Sequence, residues 1–298
     1  MLTICFIGGK INRKYHKSVV FDRILKGKLN MEIAKLKEAK RIIIKVGTST
    51  LTYDNFFLNL RRLETLAQVV SDIINSGREI VLVSSGAQSA GISHLGLKSR
   101  PDTREGKQAV AAVGQCELMK MYSKFFAEFG CTVAQVLLNR DVWEDETKKC
   151  NAENTFKALF DLHCVPIVNE NDTVSYEGIG FGGNDILSAY VALLCDADLV
   201  INLSDIKGLY TKNPREHEDA VLVRFVDKID ERILSYAGGA GTDRGTGGMK
   251  AKLEAATITT GMGIPMAITD GKDPKVLYDI IFNAELDGTF FDAESNKN

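Results

Sequence analysis

The chain has 298 residues, with 37 Lys and Arg against 39 Asp and Glu, and a formal net charge of -2. That balance argues against a protein whose main partner is a nucleic-acid backbone. A hydrophobic share of 45% with 26% charged residues is that of a globular chain, and no apolar run is long enough to suggest a membrane span.

Residues 1–30 stand apart. Lys10, Arg13, Lys14, Lys17, Arg23, Lys26 and Lys28 are opposed there only by Asp22. The segment has neither the small-residue cleavage site of a secretory signal nor the Ser and Arg enrichment of an organelle-targeting peptide. We take it as an extension ahead of Met31, a candidate initiator. The six cysteines form no Cys-x-x-Cys pair, which fits reduced thiols in a cytoplasmic protein. His16, His94, His163 and His217 lie far apart, so no protein-held metal site is expected.

From Arg41 onward, short Val- and Ile-rich runs alternate with longer amphipathic stretches, the pattern of βαβ units around a mainly parallel sheet. Strands are expected at 41–46, 79–83, 132–137, 165–168, 199–203 and 265–269, and their continuous apolar character implies cover on both faces. Between the first two, Leu60, Leu63, Ala67, Val70 and Ile74 recur at helical spacing, and Gly77 follows as a stop. Further helices are expected within 105–129, 150–163, 185–195 and 249–260.

Ligands of open α/β sheets gather at the carboxyl ends of the strands, so the residues just past each strand are the candidates. Lys45-Val-Gly47-Thr48-Ser49 follows the first strand; its backbone N–H groups could cradle phosphate oxygens beside the ammonium, or Lys45 could be a solvated strand-end residue. Ser84-Ser85-Gly86-Ala87 follows the second, either an anion-holding turn or an ordinary capped turn. Asn169-Glu170-Asn171-Asp172 follows Val-Pro-Ile-Val, and so polar a cluster beside an apolar strand calls for a polar ligand or a hydrogen-bond network. Asn184 and Asp185 open a helix, where Asn184 suits the role of cap and Asp185 that of a first-turn acid.

The run from Gly178 to Gly183 matches G-x-G-x-x-G, but no hydrophobic strand precedes it, so a dinucleotide site is not expected. No G-x-x-x-x-G-K-[ST] occurs. Ser204-Asp205 follows the fifth strand. Finally, a glycine-rich stretch closes in Gly247-Gly248-Met249-Lys250-Ala251-Lys252 at a helix start, where lysines run against the helix dipole unless an anion binds there. Two lysine-bearing glycine turns, an Asn/Asp loop and an Asn-Asp helix start suggest phosphoryl transfer, which needs positioned positive charge more than covalent help.

These segments, with Gln108-Ala-Val-Ala-Ala-Val-Gly-Gln115, Gly208-Leu-Tyr210 and Gly245-Thr-Gly-Gly-Met249, stand in an order that resembles the amino acid kinase family, in its glutamate-phosphorylating, proline-biosynthetic branch. The resemblance spans about residues 41–271. It implies a three-layer αβα sandwich with a mainly parallel central sheet, a glutamate lobe over about 40–197 and an ATP lobe over about 198–290, within a kinase domain of 31–290 and ahead of a tail at 291–298.

It further implies transfer of the γ-phosphoryl group of ATP to the γ-carboxylate of L-glutamate. Lys45 and Lys252 would stabilise the phosphates, and Asp185 would orient both lysines. Ser85, Gly86, Asp172 and Asn184 would bind glutamate. Lys45, Ser204, Asp205, Thr246, Gly247, Gly248, Met249, Lys250, Ala251 and Lys252 would contact ATP, with Mg2+ arriving on the nucleotide. L-Proline as a feedback inhibitor and a homo-oligomer are the other implied partners; a nucleic acid or a membrane is not. Another activity of the family, or a catalytically silent amino-acid-binding regulator of the same fold, is the alternative. The chain departs from the family at Gly183, where an Asp is usual, at Ser204 for Thr and at Asn213 for Asp. It also ends before the RNA-modification-type domain that many relatives carry.

Overall fold

Alternation along the first strand decides how the layers form. In the computed structural model, which describes residues 31–175, 181–237 and 248–293, strand β1 (Arg41–Val46) runs down the middle of an eight-stranded sheet. Side chains alternate across a strand, so Ile42, Ile44 and Val46 enter one hydrophobic cluster while Ile43 enters another on the opposite face.

The strands after β1 are β2 (Glu79–Ser84), β3 (Thr132–Leu138), β4 (Cys164–Glu170), β5 (Leu199–Ser204), β6 (Phe225–Val226), β7 (Met266–Asp270) and β8 (Gly288–Phe291). The principal helices are α1 (Leu60–Asn75), α2 (Ala87–His94), α3 (Arg104–Glu128), α4 (Glu146–Asp161), α5 (Asn184–Leu194) and α6 (Met249–Gly261). The sheet order is β3-β4-β2-β1-β5-β7-β8-β6, parallel throughout except where β8 runs antiparallel to β7.

The face of Ile42 and Ile44 is covered by α1, through Leu63, Leu66, Val70 and Ile73, and by Leu118, Tyr122 and Phe126 of α3. The face of Ile43 is covered by Phe156 and Phe160 of α4, Leu187 and Val191 of α5, and Leu253 and Ala256 of α6. Helices on both faces of a mainly parallel sheet make the expected αβα sandwich. Among the described residues no helix is long and apolar enough to cross a membrane.

Most expected elements lie within a few residues of their observed bounds, and Gly77 takes the left-handed conformation (φ 91°) just past α1, as a helix stop requires. Three differences have physical reasons. β3 forms the sheet edge and leaves Thr132, Gln135 and Leu137 exposed, so cover on both faces does not hold for that strand. The expectation that Asn184 caps a helix fails: Gly183 is the N-cap residue, and the Asn184 amide is drawn into side-chain hydrogen bonds instead. β6 and β8 are too short to leave a periodic signal. The extension 1–30, the segment 176–180 with Gly178 and Gly180, and the glycine-rich stretch through Thr246 and Gly247 lie outside the described residues.

Candidate active site

The chemistry-bearing residues sit where the alternation of the strands breaks. Continuing the pattern of β1, Lys45 falls on the same face as Ile43, beneath the start of α5. On the neighbouring strand β5, Val200 enters that face's cluster, so Asn202 points the same way; Lys45 and Asn202 are register partners. The carboxylate that meets them is Asp185, one residue inside the N-terminus of α5. From a third element, the first turn of α6, comes Lys252.

Lys45 Nζ lies 2.8 Å from Asp185 Oδ1 and Lys252 Nζ 3.1 Å from Oδ2. Asn202 Nδ2 donates to Oδ1 at 2.6 Å. Lys45 and Lys252 are each 5% exposed, Asp185 1% and Asn202 0%, so the whole cluster is stripped of water. Burial disfavours the charged form of Asp185, but Lys45 and Lys252 together outweigh it and hold the carboxyl below its usual range. Burial likewise pulls the Lys45 ammonium down, against the attraction of Asp185.

One residue earlier, Asn184 faces the other way. Its Nδ2 lies 3.0, 3.0 and 2.9 Å from Ser84 O, Ser85 Oγ and Asn169 Oδ1, three acceptors that share its two N–H groups. Asn169 Nδ2 in turn donates to Gln115 Oε1 at 2.9 Å. With the amide N–H groups so engaged, Asn184 keeps its carbonyl oxygen, and the Ser85 hydroxyl keeps its hydrogen, for a ligand.

The adjoining cavity, about 730 Å3, is lined by Ser85, Gly86, Asp172 and Asn184 together with charges of both signs, among them Arg100, Arg104, Lys107 and Glu170. Gly86 takes φ 102°, which lets the turn out of β2 bend sharply into α2. Burial, with the Glu170 charge next, pushes the Asp172 carboxyl up to about 6. Glu170 itself accepts from Ser175 Oγ at 2.6 Å, and Gln108 Nε2 donates to Ser175 O at 2.9 Å. The cavity thus carries charges of both signs, and Asn184, which lines it, is the chain neighbour of Asp185 in the lysine cluster.

At the end of β5, Ser204 is buried and Asp205 pairs with Arg215 at 2.8 Å. Burial opposes the charged form of Asp205, but Arg215 prevails and keeps the carboxyl below its usual range. Gly248, Met249 and Ala251 are half-buried at the head of α6, and Lys250 is exposed. Of the sequence candidates, Thr246 and Gly247 lie outside the described residues; Lys45, Ser85, Gly86, Asp172, Ser204 and Asp205 lie at or just past the ends of β1, β2, β4 and β5, Asn184 and Asp185 reach them from α5, and of the α6 residues Lys252 does so. Asn202 was not among them, although an amide inside the otherwise apolar run Leu199-Val-Ile-Asn202-Leu is the signal that could have marked it. Asn169 and Gln115 stood inside quoted motifs without a role of their own.

A sandwich of this topology, with two buried lysines on one carboxylate at the strand ends, defines a class of phosphotransferase. The chain belongs to the amino acid kinase family, whose model matches residues 40–270. Within it, the chain is 52% identical over 266 residues to the glutamate 5-kinase of Clostridium perfringens, covering 88% of this chain and 98% of that protein. It is 47% identical to the glutamate 5-kinase of Listeria monocytogenes, covering 88% of this chain and 96% of that one. Among solved structures, the isopentenyl phosphate kinase of T. acidophilum superposes with a TM-score of 0.58 at 18% identity, covering 85% of this chain and all of that one, a likeness of fold.

Proposed function

We propose that this chain transfers the γ-phosphoryl group of ATP to the γ-carboxylate of L-glutamate, giving L-glutamyl 5-phosphate, the first step of proline biosynthesis. The observation that carries the reading is the pair Lys45 and Lys252 on one buried carboxylate, set beside a cavity with charges of both signs. One γ-carboxylate oxygen attacks the γ-phosphorus, the bond from that phosphorus to the β,γ-bridging oxygen breaks, and ADP leaves with the electron pair. The attacking carboxylate is already ionised at neutral pH, so no general base is needed. What the reaction needs is positive charge held in place as negative charge moves toward ADP.

Lys45 and Lys252 supply that charge, and Asp185 keeps both lysines in register. Asp172 receives the substrate ammonium, Asn184 offers its carbonyl to the same group, and the Ser85 hydroxyl with the Gly86 backbone meets a carboxylate. Ser204, Asp205, Gly248, Met249, Lys250 and Ala251, with Thr246 and Gly247, bound the nucleotide. Asp185 already accepts from three groups and Asp205 is engaged by Arg215. Mg2+ would therefore arrive on the nucleotide, where it would offset phosphate charge beside Lys45 and Lys252.

In this reading the glutamate lobe spans about residues 40–197 and the ATP lobe about 198–290. L-Proline, with the same ammonium and α-carboxylate, competes in the cavity, and the chain works as a cytoplasmic homo-oligomer. Although Gly183 replaces an acid, both lysines keep their carboxylate, which disfavours a silent regulator. Trapping of the acyl phosphate by hydroxylamine, with MgATP and a panel of acids, tests the reading. Hydroxamate formed with glutamate is the expected result; turnover of carbamate, N-acetylglutamate or UMP with none of glutamate sinks it.

A further inference from the structure

Asn202 is a polar side chain where the fold asks for an apolar one. It occupies the centre of β5, between Ile201 and Leu203, and is 0% exposed. An amide so placed is costly unless fully hydrogen-bonded, and Asn202 is not: its Oδ1 is buried without a partner. Its Nδ2 is spent on one atom, Asp185 Oδ1, at 2.6 Å. Fold stability alone does not account for a half-satisfied amide at this place, since an aliphatic residue would continue the pattern of Val200 and Ile268 on the same face.

We propose that Asn202 is a positioning residue for phosphoryl transfer, fixing the rotation of the Asp185 carboxylate so that each of its oxygens holds one lysine. The inference rests on the phosphotransferase reading above. The terminal torsion of a carboxylate is broad, and Lys45 and Lys252, at the ends of long side chains, can follow a turn of the group they bind. Asn202 opposes that turn, because it rises from the sheet floor on a two-torsion side chain, and because β1 and β5 are locked in the register that places it opposite Lys45. Its N–H also occupies one of the two acceptor positions of Oδ1, leaving Lys45 the other. The amide orientation follows from the same contact, since the reverse rotamer would set Asn202 Oδ1 against a carboxylate oxygen.

The test separates positioning from structure. Asn202→Leu keeps the branched skeleton without polar atoms and removes the unpartnered oxygen; Asn202→Ala is the companion that cannot overpack. We expect a kcat for glutamate-dependent ATP turnover lower by about tenfold, as misplacement of a catalytic group by a fraction of an ångström produces. The KM for glutamate stays within twofold in both variants, and the Tm of Asn202→Leu is equal to or above that of the unaltered protein. A fall in kcat with Tm held in either variant supports the proposal. A kcat within twofold of normal in a folded variant overturns it, as does a fall in kcat that tracks a fall in Tm in both. Failure of the unaltered protein to turn over ATP with glutamate counts against the phosphotransferase reading itself, whereas a normal kcat in Asn202→Leu counts against Asn202 alone.

Discussion

Lys45 and Asn202 face each other across β1 and β5 and end on the same oxygen of Asp185, at 2.8 and 2.6 Å. The site is therefore built into the sheet floor rather than hung on loops. The alternation that sends Ile43 and Val200 into one face of the core brings the side chains two residues on, Lys45 and Asn202, to the same face beneath α5. Asp185 and Lys252 come down onto that floor from the first turns of α5 and α6.

Unequal costs follow for the members of the cluster. Asp185→Asn leaves two buried ammonium groups without their carboxylate, a change that destabilises by about 3 kcal/mol in comparable buried pairs. Lys252→Met leaves Asp185 bound to Lys45 and Asn202, so it costs less stability while abolishing turnover equally. Urea unfolding of both variants beside an ATPase assay checks the order. Equal stability losses, or a greater loss in Lys252→Met, would refute it.

Asp172 gives a pH dependence with a definite sign. Its carboxyl is raised by burial, then by the Glu170 charge, from 3.8 to about 6. A raised acid holds its proton more tightly when folded, so its contribution to stability is present at low pH and is lost as pH rises through that window. A bound substrate ammonium favours the ionised form and reverses the shift. Glutamate binding therefore releases a proton, and the KM for glutamate falls as pH rises from about 5 to 7. In Asp172→Asn the KM is high and flat across the same range. A wild-type KM independent of pH there would contradict the assignment.

Gly183 stands where the sequence resemblance implies an Asp, and the backbone supplies a reason why this chain tolerates nothing larger. It adopts φ 120° and ψ 165°, and Gly182 before it has φ 80°. An L side chain at φ 120° is strained, at a cost of about 1–3 kcal/mol. Gly183→Ala and Gly183→Asp are thus expected to lower Tm alike, and Gly183→Asp to gain no activity from its carboxylate. A rise in kcat on Gly183→Asp would show that the missing acid mattered more than the backbone.

The fold was largely legible because parallel strands buried on both faces write long Val and Ile runs, as residues 41–46 and 199–203 do. The edge strand β3 writes a similar run without being covered, since neighbours rather than composition decide burial. Within the site, lysines and acids next to glycine turns were visible as anomalies of charge. Asn202 was a fainter anomaly, of polarity alone within an apolar run, because a single amide inside a strand changes neither charge nor spacing. Asn184 misled because a helix start explains an Asn well enough locally, and only the fold brings Ser84, Ser85 and Asn169 within its reach.

Gly114 and Gly91 set how closely α2 and α3 approach, and through α2 they set the position of Ser85 and Gly86. A Cβ on Gly114 would lie 1.7 Å from Ala87 O and 2.4 Å from Gly91 N; one on Gly91 would lie 2.0 Å from Val110 O. These neighbours are backbone atoms and cannot rotate away, so Gly114→Ala must push α2 outward, and overpacking of this kind costs about 1–3 kcal/mol. Ala87 opens α2 directly after Ser85 and Gly86, so the same displacement widens the cavity proposed to take glutamate. Gly114→Ala should lower Tm and raise the KM for glutamate, with the KM for ATP little changed, because the lysine cluster rests on β1, β5, α5 and α6. Gly261→Ala is the control: it ends α6 with no atom within 4 Å of an added Cβ, so the same substitution should be neutral or stabilising by up to about 1 kcal/mol. If Gly114→Ala leaves both Tm and the glutamate KM unchanged, the close approach of α2 and α3 does not shape the cavity.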